Sequence, residues 1–240
     1  MFTSMNFMAA AGIVGMCAAS TLASIVGDPL TITATNTQGT ASFVVRLADG
    51  TYNPDTGDFT YSRQTPIVLQ DDAGRTVATL SSLNFSIIGD PQVNLAFSAT
   101  AGNAATLFSF SSGLNAFAPL INPTVSGVAS LTLTDSLGND GATTQGNFAG
   151  PFSYTAFYNG ASVYATRLND MAAGPGLSTP QTQGLAGVIA GAVTDMSAQY
   201  SFTLSPGDSV SATSVYSIIP APGVLALLGL GGVAVIRRRR

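Results

Sequence analysis

Leu83-Asn-Phe-Ser-Ile-Ile-Gly-Asp-Pro-Gln-Val-Asn-Leu-Ala-Phe97 decides the fold class. Leu83, Phe85 and Ile87 alternate with Asn84 and Ser86. Beyond Gly89-Asp90-Pro91, Val93, Leu95 and Phe97 alternate with Asn94 and Ala96. Successive side chains of a strand point to opposite faces, so each half has one apolar and one polar face. Gly and Pro between the halves supply turn chemistry. The stretch predicts two antiparallel strands joined by a tight return.

The same alternation recurs along the chain, at Phe43, Val45 and Leu47; at Ala129, Leu131 and Leu133; at Tyr154, Ala156 and Tyr158; and at Tyr200, Phe202 and Leu204. Turn-forming residues bound these runs: Ala48-Asp-Gly-Thr51, Gly138-Asn-Asp-Gly141, Asn159-Gly160 and Ser205-Pro-Gly-Asp208. Asn-Gly is a strong signal for a two-residue hairpin turn. The pattern predicts an all-β fold, an antiparallel β-sandwich of about twelve strands. It would occupy residues 24–217 as the body of the protein. Two stretches break the alternation. Asn169–Gln183, with Gly and Pro closely spaced, reads as a long exposed loop. Gly184–Val193, apolar and rich in Gly and Ala, reads as a buried strand, with a short helix as the alternative. A final strand is expected over about Val210–Ile218.

The 240 residues contain twelve acidic side chains, all Asp, and eight basic ones, all Arg; Lys, Glu, His and Trp are missing. Charged residues are 8 % and hydrophobic ones 46 %. So apolar a chain folds rather than staying disordered. The body carries Arg46, Arg63, Arg75 and Arg167 against twelve aspartates, a formal charge of −8. An acidic, lysine-free surface excludes nucleic acid as a partner, because that binding rests on cations neutralising phosphate.

Without His, Lys or Glu, a Ser-His-Asp triad, a Cys-His pair, a Schiff-base lysine or a histidine zinc site cannot be assembled. An Asp pair could serve glycoside hydrolysis, but the adjacent Asp71-Asp72 would point to opposite faces of a strand. Asp72-Ala-Gly-Arg75 also has turn composition. No cofactor is expected. Calcium, which takes carboxylate and carbonyl oxygens, is the small ligand best suited to the loops. Asp49, Asp55 and Asp58 fall close together with Asn53, and Asp135 to Asp140 forms a weaker cluster. Asp and Asn are also the common turn formers. For carbohydrate, Phe152, Tyr154, Phe157, Tyr158 and Tyr164 crowd the hairpin around Asn159-Gly160. Alternation places Phe152, Tyr154 and Tyr158 on one face and Phe157 on the other, and one of these faces must be core.

The two ends of the chain read as addresses. Met8–Ser20 is apolar and small, like the hydrophobic region of a secretory signal peptide, and Thr21-Leu22-Ala23 fits the residues before a cut. Residues 1–23 are therefore expected to be removed after Ala23. Cys17, the sole cysteine, would go with them and leave no disulfide framework. At the other end Pro220-Ala221-Pro222 precedes Gly223–Ile236, an apolar run closed by Arg237, Arg238, Arg239 and Arg240. Fourteen helical residues would reach about 21 Å, short of the about 20 residues that span a bilayer core. The arginines would stay in the cytoplasm and leave the body outside.

Pro-x-Pro, a short apolar helix and a terminal arginine cluster resemble the PEP-CTERM sorting signal of bacterial exported proteins. The likeness covers residues 218–240, with Ala221 where that family usually has Glu. It implies recognition by an exosortase, an integral-membrane protease or transpeptidase, after export by the general secretion machinery. Cleavage would fall near Pro220-Ala221-Pro222, with delivery to the cell surface or the extracellular medium. It also implies an association with exopolysaccharide. The expected function is therefore structural or adhesive and not enzymatic, with polysaccharide as a candidate partner and the C-terminal helix in the membrane at least transiently. The alternatives are a secreted Asp-dependent glycoside hydrolase and a binding domain anchored permanently by that helix.

Overall fold

The computed structural model describes residues 23–138 and 140–221. In chain order the strands are β1 (Ser24–Thr35), β2 (Thr40–Val45), β3 (Thr51–Asn53), β4 (Asp58–Arg63), β5 (Ile67–Gln70), β6 (Thr76–Ile88), β7 (Gln92–Ala101) and β8 (Thr106–Ile121). They continue as β9 (Thr124–Thr134), β10 (Ala142–Gly146), β11 (Phe152–Tyr158), β12 (Ser162–Asn169), β13 (Met171–Ala173), β14 (Ser178–Val188), β15 (Ala192–Leu204) and β16 (Ser209–Ile219). One 3-10 turn covers Leu47–Asp49, so β2 stops at Val45 and does not run on to Leu47. The expected all-β class holds. The strand number exceeds expectation because β3, β5, β10 and β13 are too short to show alternation.

Two antiparallel sheets form the sandwich. The first runs β12-β11-β15-β8-β1-β2, with β10 beside β15 and β13 beside β10. The second runs β14-β9-β16-β7-β6-β4-β3, with β5 beside β6. The stretch that decided the class forms the β6–β7 pair, with Leu83 opposite Phe97, Phe85 opposite Leu95 and Ile87 opposite Val93. All six side chains are buried. Phe97 reaches from the second sheet to the first, stacking on Phe110 at 3.7 Å and meeting Tyr200 edge-on at 5.3 Å. Each buried aromatic ring removes about 150–250 Å² from water, so this stack dominates the attraction between the layers. The β11–β12 return is three residues, Asn159 to Ala161; Asn159 and Gly160 take φ of 46° and 77°, the left-handed region that Asn and Gly favour.

Three local expectations are corrected. Asn169–Gln183 is not one long loop: β13 and the first half of β14 lie within it. Pro180 is accommodated because β14 is an edge strand, where proline's missing N–H leaves no ladder bond broken. Gly184–Val193 is not one buried strand. Gly184–Val188 completes the exposed edge strand, a turn follows, and β15 begins at Ala192. Leu185, Ile189 and Val193 are its buried members. The aromatic hairpin leaves no fully exposed tyrosine. Tyr154 is fully buried, and Tyr158 and Tyr164 pack partly buried against the core. A bulge between Ala156 and Phe157 also breaks the expected alternation there.

The first and last described strands lie beside the same return. Ala23 packs against Gly57 and Gly89, and the Ile218 N–H donates to the Pro91 carbonyl at 2.9 Å. Residues 1–22, the apolar run 223–236, Pro222 and Arg237–Arg240 lie outside the described residues. Among the described residues no helix is long and apolar enough to cross a membrane.

Candidate binding cleft

The acidic residues singled out in the sequence are held in turns. The Asp49 Oδ2 accepts the Arg46 N–H at 2.7 Å. The Asp58 Oδ1 accepts the Gly89 N–H at 2.8 Å. Asp55 sits in the β3–β4 return, where its N–H donates to Asn53 Oδ1. β3 separates Asp49 from the other two, and among the described residues no three His, Cys, Asp or Glu converge as a metal site. Asp71 is nearly buried and bonds to Arg75, whose guanidinium lies 2.6 Å from it. The side-chain and backbone donors of Arg75 hold the Asp71 carboxyl below the ordinary range. Pro220 and Ala221 follow β16 as exposed residues.

The four body arginines divide into two pairs. Arg75 is spent on Asp71 and on the Gln38 carbonyl. Arg167 caps the open edge of β14, its Nε donating to the Gly184 carbonyl at 2.9 Å and its Nη1 to the Thr166 carbonyl at 2.7 Å. Arg46 and Arg63 are different. The Arg63 Nε donates to Thr65 Oγ1 at 3.1 Å. Among the described residues no acceptor engages the Nη groups of Arg63 or the side chain of Arg46, and neither forms an ion pair. Both line one cleft of about 590 Å³ with Ser42, Phe43, Val44, Asp49 and Tyr61.

Topology creates this cleft. β2 is the edge of the first sheet, and β4 lies next to the edge strand β3 in the second. Phe43 and Tyr61 lean on the core from opposite sheets and stay partly exposed. Arg46 leaves β2 at its end, Arg63 closes β4, and the 3-10 turn brings Asp49 to the rim. A second hollow of about 410 Å³ adjoins it, sharing Asp49 and Tyr61 and adding Thr60 and Ser62. The cleft thus offers aromatic surface, two cationic forks and one carboxylate. It can bind a ring and hold an anion. Sequence reading missed it because neither arginine stands in a motif.

The outer face of the second sheet is a different surface. β14, β9, β16, β7 and β6 are adjacent and contain no charged residue. Hydroxyls pair across the strands: Ser130 with Thr213 at 2.7 Å and Thr134 with Ser178 at 2.8 Å. A shallow trough of about 360 Å³ on this sheet, lined by Asn84, Asn94 and Thr213 among others, has hydrogen-bonding groups but no ion.

No family model matches the chain. No curated protein matches it either. Among solved structures it is similar to that of infectious bursal disease virus Gx strain, at 14 % identity and a TM-score of 0.30, over 84 % of this chain and 54 % of that one. The Gt strain structure of the same virus is similar at 14 % identity and a TM-score of 0.22, over 83 % of this chain and 62 % of that one. The chain thus spans between half and two thirds of these viral chains, and at such TM-scores the likeness carries no inference about function.

Proposed function

We propose that this is an exported protein of the cell surface or extracellular matrix, adhesive or structural in an exopolysaccharide matrix, that binds saccharide in the β2–β4 cleft. The cleft carries the binding part of this reading, because it joins partly exposed aromatic surface to polar groups that the fold leaves unused. The sorting part rests on Pro220-Ala221-Pro222, the apolar run and the arginine tail. Its partners would be the general secretion machinery and an exosortase-type membrane protease. The positions of Ala23 and Ile218 beside one return are consistent with a body hung from a surface by that pole. Binding is favoured over hydrolysis because the cleft has one carboxylate, Asp49, where glycosidases generally use two.

Intact mass of the protein from its host, taken separately from membrane and extracellular fractions, tests the sorting. A form ending near Pro220 to Gly223 supports it. A form ending at Arg240 and confined to membranes would replace it with a permanent C-terminal anchor. Retention on immobilised host exopolysaccharide, lost in Tyr61→Ala with the fold intact by circular dichroism, tests the binding.

A further inference from the structure

We infer that the saccharide held in the β2–β4 cleft is anionic, with its acidic group read by Arg46 and Arg63; this rests on the saccharide-binding proposal above. The carrying observation is a contrast between arginines of one chain. Arg75 and Arg167 are consumed by protein oxygens, whereas Arg46 and Arg63 meet in one cleft with their terminal nitrogens free among the described residues. A body with four cations against twelve aspartates attracts no anion by its overall field. Placing two of those cations together makes a local exception. Guanidinium forks match planar carboxylates and phosphates with paired N–H donors.

Two further groups favour a sugar acid over a bare ion. Phe43 and Tyr61 supply flat apolar surface on which a ring face can lie. Asp49 keeps one oxygen on the Arg46 N–H and can accept a sugar hydroxyl with the other, something a free anion could not use. The trough on the second sheet also borders Tyr61, but no charged residue lines it.

Isothermal titration of the protein isolated from its host, against three probes, tests this. The probes are a uronic-acid hexasaccharide, its carboxyl-reduced neutral counterpart and a hexose phosphate. The uronate should bind at least about tenfold more tightly than the neutral sugar, each arginine-to-glutamine change should cost about tenfold, and R46Q/R63Q should erase the preference. Arg63→Lys should recover only part of it, because an ammonium lacks the planar fork. Preferred binding of the hexose phosphate with the same arginine dependence supports the anionic assignment and makes phosphate its source. Equal affinity for acidic and neutral sugars, or a double variant that behaves like the parent, overturns the inference and leaves the saccharide reading standing. No binding of any probe overturns both. Unchanged melting temperatures of the variants keep folding out of the comparison.

Discussion

The carboxyl of Asp208 faces that of Asp135, and their surroundings push the two in opposite directions. Both are buried. Asp135 lies in a cradle of N–H groups, those of Gly176 at 2.9 Å, Gly138 at 2.8 Å, Leu137 at 3.1 Å and Gly141 at 3.2 Å. Chiefly through Gly176 and Gly138, these donors hold its carboxyl below the ordinary range. Asp208 is raised, first by burial, against the donors of Ser205 and Ser136, and then further by the charge of Asp135. The pair ties the loop after β9 to the β13–β14 and β15–β16 returns. A wall of amide hydrogens repels a cation, so the cluster is a structural clasp.

Opposite shifts give opposite pH dependences. Asp135, lowered from about 3.8, contributes stability that is complete above that value and is lost as pH falls through its lower folded value. Asp208, raised from 3.8, contributes stability that is complete below that value and is lost as pH rises through its higher folded value. Thermal melts across this range should show both limbs. Asp208→Asn should flatten the loss on the rising side. Asp135→Asn should lower the melting temperature at neutral pH and remove its share of the fall in acid, leaving that of Asp71. Parallel curves for all three proteins would refute the assignment.

Two buried tyrosines should respond oppositely to loss of the hydroxyl. Tyr200 Oη donates to the Thr213 carbonyl at 2.7 Å and also lies 3.2 Å from the Ser130 carbonyl. Tyr154 Oη is buried beside the Ser214 hydroxyl, and the two do not reach hydrogen-bonding geometry. Tyr200→Phe should cost about 1 kcal/mol, the net worth of an ordinary hydrogen bond. Tyr154→Phe should be neutral or stabilising by up to about 1 kcal/mol, since removing an unsatisfied buried group relieves its desolvation cost. Urea melts of both variants would decide.

Gly89 should not tolerate a side chain. A Cβ there would stand 1.8 Å from the Thr56 carbonyl oxygen, and the Gly89 N–H is fixed on Asp58 at 2.8 Å. Gly89→Ala should destabilise by about 1–3 kcal/mol, the usual range for forced overpacking. Gly74→Ala is a useful counterpart, because its Cβ would meet open space and only the φ of 76° opposes it. A melt in which Gly89→Ala matches the parent would show that the Thr56 segment moves aside.

Millimolar calcium should leave the melting temperature unchanged, and so should a chelator. Asp49, Asp55 and Asp58 do not converge on one another, and two of them already serve backbone N–H groups. A rise of several degrees would restore the calcium site expected from their spacing.

Alternation alone dictates the class of the fold, because a period of two is written into neighbouring residues and needs no distant partner. Leu83 to Phe97 pair as their alternation requires, and Asn159-Gly160 turns as its composition requires. Composition likewise removed most catalytic chemistry before any contact was known. Where a local signal conflicted with position in a sheet, position prevailed: Pro180 lies in a strand because that strand is an edge. Tyr154 left the predicted aromatic patch because the opposing sheet covers it. Which arginines are spent and which are free follows from long-range packing. Arg46 follows β2 of the first sheet and Arg63 ends β4 of the second, and they share a cleft because the packing of the two sheets brings those strand ends to one side of the sandwich. Nothing local to either residue encodes that meeting, since it depends on the order of strands and the packing of both sheets around Phe97.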